Sequence, residues 1–142
     1  MPAVADPGSD IVRKAHLANY LVKPLIGPSS IILALSASGM NGNAFSFNGY
    51  LPIKDQELRE NLKALENRIV KTGQTQIFIE TPYRNNRIVN NILSSIKNQQ
   101  LLLCIALDLN GKHEYVKTKS IKEWKTKSID LPKLPAIFLL GR

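Results

Sequence analysis

The sequence predicts an α/β domain: a mixed, mostly five-stranded sheet with helices packed on it. Short apolar segments of strand length alternate with longer segments whose apolar residues recur every three or four positions. The Asn110-Gly111 pair between two strand-like segments predicts a hairpin, so at least one strand pair is antiparallel. The chain has 142 residues, 44% of them hydrophobic, which is enough for one domain with its own core.

The order of elements follows from apolar spacing and from the residues that begin and end helices. Strands are expected over 21–26, 45–51, 74–79, 101–109, 114–119 and 136–140. Helices are expected over 10–18, 31–38, 55–70 and 85–98, with a short helix opened by the Ser120–Glu123 capping box. Gly39 ends the helix over 31–38, which we expect to be largely buried because apolar residues occupy nearly all its sides.

The charge of the chain favours an anionic partner. A net charge of +8 and a pI of about 9.8 point to nucleic acid first and an acidic membrane surface second, with solubility alone as the alternative. Five lysines lie between Val116 and Lys127: Lys117, Lys119, Lys122, Lys125 and Lys127. Tyr115 and Trp124 lie among them as stacking groups, but the patch contains no nucleic-acid-binding motif.

Several kinds of site are not expected. His16 and His113 are the only histidines and have no second ligand at metal-binding spacing, so we expect no metal. Cys104 lies in an apolar run and is expected in the core. No apolar run is long enough to span a membrane, and the first residues do not form a secretory signal. We therefore expect a cytoplasmic protein that does not engage the membrane.

Polar loops at strand ends remain as candidate sites. The Gly27–Ser30 turn gathers free amides and two hydroxyls at a helix start, where they can hold a carboxylate or a ribose oxygen; plain N-capping by Ser29 is the alternative. Glu80 and Arg84 follow another strand end, where α/β proteins bind ligands; a surface salt bridge is the alternative. The Asp6-Pro7-Gly8 turn is either a further loop of this kind or a cap on the helix over 10–18.

In their order along the chain, these loops resemble the tetrapyrrole methylase superfamily, nearest its branch of ribosomal RNA small-subunit 2′-O-ribose methyltransferases. The segments that carry the resemblance are Ala3–Gly8, Pro24–Ser30, Ala34–Gly39, Phe47–Pro52 and Ile77–Arg84. The likeness covers essentially the whole chain. It implies a two-domain methyltransferase that binds S-adenosylmethionine between its domains, usually as a homodimer, with ribosomal RNA or a tetrapyrrole as substrate.

The resemblance also implies roles for individual residues. The implied cofactor-binding residues are Ala3, Val4, Ala5, Ser29, Ser30, Glu80, Pro135, Ala136 and Ile137. Glu80 and Arg84 are the implied catalytic residues, because a ribose hydroxyl needs a base or a charged neighbour to attack the sulfonium methyl.

The same resemblance predicts how the chain divides. Residues 1–20 are expected to be the end of a truncated first domain and a linker helix, and residues 21–142 the C-terminal α/β domain. With half of the cleft absent, the chain alone is expected to bind the cofactor weakly and to be inactive. Tyr83 stands where the RNA branch usually has histidine, and Leu107–Leu109 where it has Arg-Glu-Leu. A methylase of a porphyrin or corrin precursor and a catalytically silent dimerisation module therefore stay open as alternatives.

Overall fold

The computed structural model describes residues 2–142. The helices in this range are α1 (Ser9–Leu17), α2 (Ser30–Ser38), α3 (Asp55–Thr72), α4 (Asn85–Ser95) and α5 (Ile121–Trp124), and a 3-10 turn (Pro82–Arg84) precedes α4. The strands in this range are β1 (Phe45–Tyr50), β2 (Thr75–Glu80), β3 (Leu102–Leu107), β4 (Tyr115–Ser120) and β5 (Ala136–Gly141). They form one five-stranded mixed sheet, which confirms the predicted fold class.

The last strand lies in the middle of the sheet. The strand order is β1-β2-β5-β3-β4; β1 and β2 are parallel, and the other neighbours are antiparallel. Strands β1, β2 and β3 therefore run in one direction, and β4 and β5 in the other. Ala136 at the start of β5 pairs with Glu80 on one side and with Leu107 on the other. The carboxyl ends of β2 and β3 therefore lie beside the beginning of β5, at the same end of the sheet along the strand direction.

Helices cover both faces of the sheet because alternate strand residues point to opposite sides. On one face α3, α4 and α5 enclose the larger core, where the rings of Phe78 and Phe138 stack with centroids 5.8 Å apart. On the other face α2 packs over a smaller core that includes Ile77, Cys104 and Leu139. None of the residues from 2 to 29 is buried in either core.

The hairpin and the short capped helix are confirmed, and the hairpin is longer than expected. β3 and β4 pair antiparallel, but seven residues, 108–114, connect them. Asp108 and Asn110 have left-handed backbones at φ 49° and 60°, and the Asp108 carboxylate accepts the His113 N–H at 2.9 Å. A Cβ on Gly111 would lie 2.2 Å from an oxygen of that carboxylate, so a larger residue there would displace the carboxylate from the His113 N–H.

The predicted strand over 21–26 is wrong. This segment pairs with no strand of the described chain, and Leu25 and Ile26 are 92% and 108% exposed. Pro24 and Pro28 have no N–H to contribute to a ladder, so β-rich composition alone does not add a strand here.

The expected burial of α2 holds on one side only. Ile31, Ala34 and Leu35 face the sheet and are buried. Ile32 and Leu33 are exposed, because no other element of the described chain packs over the outer face of this helix. The predicted end of the helix at Gly39 is confirmed, and this glycine has a left-handed backbone at φ 72°.

Candidate functional site

A cavity of about 350 Å³ lies where β2 and β3 end and β5 begins, on the face of the sheet that α2 covers. Its lining residues are Ser30, Tyr50, Ile79, Glu80, Thr81, Pro82, Ala106, Asp108, Leu109, Pro135, Ala136 and Ile137. The position is the one where open α/β sheets bind ligands, outside the carboxyl ends of neighbouring strands. We call this space the strand-end cavity.

The cavity brings together predicted residues that are far apart in the sequence. Ser30 reaches it from the start of α2, Glu80 from the end of β2, and the 135–137 segment from the start of β5. Ser29 is the N-cap residue of α2 and has an extended backbone, but its side chain makes no capping hydrogen bond in the described chain. The hydroxyl of Ser29 is therefore not used in the way that the N-capping alternative requires.

The 3–5 segment lies away from the strand-end cavity. Ala3 lines a separate groove against α1, and both Ala3 and Ala5 have left-handed backbones. The Gly8 N–H donates to the Asp6 carboxylate at 2.7 Å, and α1 begins directly after this turn. The structure does not bring Ala3, Val4 or Ala5 to the cavity, and their cofactor-binding role stays a prediction.

Glu80, at the wall of the cavity, forms an ion pair with the half-buried Arg84. Nη2 of Arg84 lies 2.6 Å from Oε1 of Glu80, whose side chain is 1% exposed against 25% for Arg84. The same Oε1 accepts the Thr81 N–H at 2.7 Å, and Nε of Arg84 donates to the Thr81 hydroxyl at 3.0 Å. The pair is therefore part of a closed network within the protein, unlike the surface salt bridge considered as the alternative.

The sequence analysis missed several residues of the cavity wall, among them Tyr50, Thr81 and Asp108. The Asp108 N–H donates to the carbonyl of Pro135 at 2.9 Å, which joins the end of β3 to the approach to β5. Each of the three residues lies within two positions of the end of a predicted strand. That position was the available signal, but which strand ends meet depends on the strand order.

Cys104 belongs to the core, as expected. It is fully buried and forms no disulfide, and burial raises the pKa of its thiol against a smaller lowering by a hydrogen bond with Thr118. Burial likewise raises the pKa of the Tyr115 hydroxyl, with a further contribution from Cys104. A thiol with a raised pKa stays protonated near neutral pH, so Cys104 is not an activated nucleophile.

Residues 2–142 contain neither a metal-binding cluster nor a membrane-spanning helix. No group of three His, Cys, Asp or Glu side chains gathers there as a metal site would require. No helix in the same range has the length and apolar character needed to cross a bilayer.

Solved methyltransferase structures share this fold. The methyltransferase CobJ superposes with a TM-score of 0.59 at 14% identity, covering 99% of this chain and 61% of that one. The uroporphyrin-III C-methyl transferase from Thermus thermophilus, solved with S-adenyl homocysteine, gives 0.53 at 17% identity and covers 99% and 62%. At these identities the likeness establishes the fold of the chain.

The sequence comparison finds relatives among ribosomal RNA methyltransferases. The ribosomal RNA small subunit methyltransferase I of Buchnera aphidicola subsp. Schizaphis graminum (strain Sg) is 36% identical over 126 residues, which are 87% of this chain and 42% of that protein. No family model matches the chain. Over most of its length the chain is similar in sequence to ribosomal RNA small subunit methyltransferases I, and it shares its fold with the solved methyltransferases. It spans about two fifths of the length of the curated relatives it matches.

Proposed function

We propose that this chain forms one wall of the S-adenosylmethionine cleft of a methyltransferase that acts on a ribose 2′-hydroxyl of ribosomal RNA. The observation that carries the proposal is the convergence of Ser30, Glu80 and the 135–137 segment on one cavity. The relative with 36% identity is named as a ribosomal RNA methyltransferase, and one neighbour in fold was solved with S-adenyl homocysteine.

The residues of the cavity suit such a cofactor. Ile79, Ala106 and Ile137 form an apolar wall of small or flat surface, against which a heteroaromatic ring packs well. Ser30 adds a hydroxyl from the start of α2, which suits a hydroxyl or amino group of a ligand. A volume of about 350 Å³ is at the low end for a small-molecule site, which supports a cleft completed by a second unit.

The proposed mechanism assigns the protein an orienting role. Bound S-adenosylmethionine supplies the electrophilic sulfonium methyl, so the residues hold the reactants in line and exclude water. Arg84 lines a groove that shares Tyr50 and Thr81 with the strand-end cavity. From there its guanidinium stabilises negative charge that develops on a ribose oxygen. Glu80 holds that guanidinium in place through the ion pair, and the Thr81 N–H, which donates to the same Oε1, fixes the carboxylate.

We also propose the division of the chain near residue 20, with residues 21–142 as the C-terminal α/β domain of the methyltransferase. The absence of buried residues from 2 to 29 supports this division. Homodimer formation and a cytoplasmic location stay predictions that accompany it.

A methyl-transfer assay separates the proposed function from its alternatives. The full-length protein is incubated with methyl-tritiated S-adenosylmethionine and either unmodified small ribosomal subunits or uroporphyrinogen. We expect label in the RNA, at a ribose after nuclease digestion. Label only in the tetrapyrrole would establish the porphyrin-precursor alternative, and no label together with no cofactor binding by calorimetry would establish the silent module.

A tryptophan substitution tests whether the strand-end cavity binds the cofactor. Ser30→Trp in the full-length protein places a large ring at the cavity rim and should raise the Kd for S-adenosylmethionine about tenfold or more, because the ring occupies the binding volume. Ser94→Trp on the exposed side of α4 is the matched control and should leave the Kd unchanged. Equal affinity of both variants would show that the cofactor binds elsewhere.

A further inference from the structure

We infer that the outer edge of the sheet at β4, together with α5 and the segment that follows it, is a docking surface for the phosphate backbone of RNA. The inference rests on the proposed function, because it assigns the RNA substrate a second contact outside the strand-end cavity. We call this surface the basic edge and define it by its lysines: Lys112, Lys117, Lys119, Lys122, Lys125, Lys127 and Lys133.

Charge is concentrated at the basic edge. Residues 112–133 contain seven lysines and three acidic residues, and this surplus of four positive charges is half of the net charge of the chain. All of these lysines are exposed except the half-buried Lys119, and none forms a salt bridge with a carboxylate of residues 2–142. Unpaired cations on one surface repel each other and attract a polyanion.

The acidic residues in this region are already engaged. The Glu123 carboxylate accepts the Ser120 N–H at 2.9 Å and its hydroxyl at 2.6 Å. Asp130 accepts the side-chain amide of Asn86 at 2.9 Å, and Glu114 accepts the Asn110 N–H. The three carboxylates therefore serve the fold and form no salt bridge with the lysines around them.

The basic edge has a shaped groove. A cavity of about 420 Å³ between β4 and α5 is lined by Lys119 and Lys127, and by His113, Tyr115 and Trp124. Nζ of Lys119 lies 5.1 Å from the centroid of the Trp124 ring, and the ring is fixed by its N–H bond to the Leu103 carbonyl at 2.8 Å. The tryptophan thus holds the lysine in position, while the exposed Tyr115 ring is available to stack on a base.

The groove and the strand-end cavity meet at the same end of the sheet. Leu107 lines the groove, and its neighbour Asp108 lines the cavity on the opposite face. In the approach to β5, Pro132 lines the groove and Pro135 lines the cavity. An RNA strand held on the basic edge therefore reaches the cavity around the hairpin turn at 108–114.

The surface chemistry favours RNA over a lipid bilayer. Peripheral membrane surfaces combine cations with exposed large apolar side chains that enter the interface. Within residues 112–133 of the described chain, Tyr115 is the one large hydrophobic side chain that is exposed. Lysines beside a single stacking ring suit a phosphate backbone with unpaired bases.

Charge neutralisation at the groove provides the test. The triple variant Lys117→Gln, Lys119→Gln and Lys127→Gln is compared with the matched control Arg59→Gln, Lys63→Gln and Lys71→Gln on the exposed side of α3. Both are made in the full-length protein and lower its net charge equally. Binding of a labelled small-subunit ribosomal RNA segment is followed by fluorescence anisotropy over a series of salt concentrations, with anionic phosphatidylglycerol vesicles as a parallel probe.

We expect the groove variant to bind RNA about tenfold or more weakly and to lower the slope of log K against log salt by about two, which corresponds to three lost phosphate contacts at roughly 0.7 each. The control should keep a slope near that of the unmodified protein. A double variant, Lys117→Gln with Lys127→Gln, preserves the contact between Lys119 and Trp124 and should show the same direction of change without loss of thermal stability.

The outcomes separate this inference from the proposed function. Equal weakening by the groove variant and the control would overturn the docking surface, as would tighter binding to vesicles than to RNA. If the groove variant still methylates ribose and binds RNA with unchanged affinity, the proposed function is supported and the docking surface is refuted. Selective loss of RNA affinity supports the docking surface even if the methyl group is found on a tetrapyrrole.

Discussion

At the scale of single residues, the network of Glu80, Thr81 and Arg84 is the best-defined feature of the candidate site. A carboxylate that is 1% exposed is costly to bury unless it is paired and hydrogen-bonded. Here the guanidinium at 2.6 Å and the Thr81 N–H at 2.7 Å provide both kinds of partner. The network therefore fixes the backbone where β2 ends and the cavity begins.

Removing the guanidinium should destabilise the protein strongly. Arg84→Leu leaves the Glu80 carboxylate buried without its counter-charge, and we expect a loss of about 3 kcal/mol in the free energy of unfolding. Chemical denaturation of Arg84→Leu, Glu80→Gln and the double variant gives the coupling between the two side chains. The double variant should be more stable than Arg84→Leu alone, and additive losses would mean that the two side chains do not act as a pair.

At the scale of elements, α5 shows how local interactions define a short helix. The Ser120 hydroxyl accepts the Glu123 N–H at 3.2 Å, and the Glu123 carboxylate accepts the Ser120 N–H at 2.9 Å, so both halves of the predicted capping box are present. Hydrogen bonds from Ser120 lower the pKa of Glu123, with smaller contributions from Lys119 and Lys117. The cap orients α5 so that Trp124 faces the core and supports Lys119.

The lowered pKa of Glu123 predicts a pH-dependent contribution to stability. A carboxyl group whose pKa is lower in the folded state stabilises the protein above its ordinary pKa, and this contribution disappears as the pH falls through the folded value. The stability difference between the unmodified protein and Glu123→Gln should therefore be constant near neutral pH and shrink in acid. Urea unfolding at several pH values measures it.

Ser120→Ala is the control for that experiment. It removes the hydroxyl that binds the Glu123 carboxylate, should cost about 1 kcal/mol as caps do, and should weaken the acid dependence contributed by Glu123. An acid dependence that stays the same in Ser120→Ala would show that the lysines, rather than the capping box, lower the pKa.

At the scale of the whole molecule, residues 17–26 and the outer face of α2 carry exposed apolar side chains. Leu17, Leu21, Leu25 and Ile26 are exposed, as are Ile32 and Leu33 on α2. Exposed large apolar side chains in such number are typical of surfaces that another unit covers. This surface is where the predicted homodimer would bury apolar area.

Polar substitution on that surface should change association and leave folding intact. Leu25→Ser with Ile26→Ser removes two side chains that make almost no buried contact, so we expect an unchanged Tm and weaker self-association in sedimentation velocity of the full-length protein. Ile53→Ser with Val70→Ser, two other exposed apolar positions, serves as the control. Unaltered association of the first variant would place the dimer contact elsewhere or show that none exists.

The sequence by itself determined the elements whose stabilising interactions are local. Leu58, Leu62, Leu65 and Ile69 all face one side of α3 and are buried, as their spacing predicts. The Ser120–Glu123 box likewise depends on groups within three residues of each other. Caps and helical periodicity act within a few positions, so they can be recognised without knowing what packs against them.

Only the tertiary structure decided which strands are neighbours, and the strand order in turn decided which residues meet at the strand-end cavity. The composition of residues 21–26 favours a strand, but the segment stays unpaired because a strand exists only where another offers its backbone groups. β5 enters between β2 and β3, and this insertion places Pro135 and Ala136 beside Glu80 and Asp108. The choice of neighbouring strands depends on how residues distant in the chain bury both faces of the sheet. A pattern within a few residues contains no information about that burial.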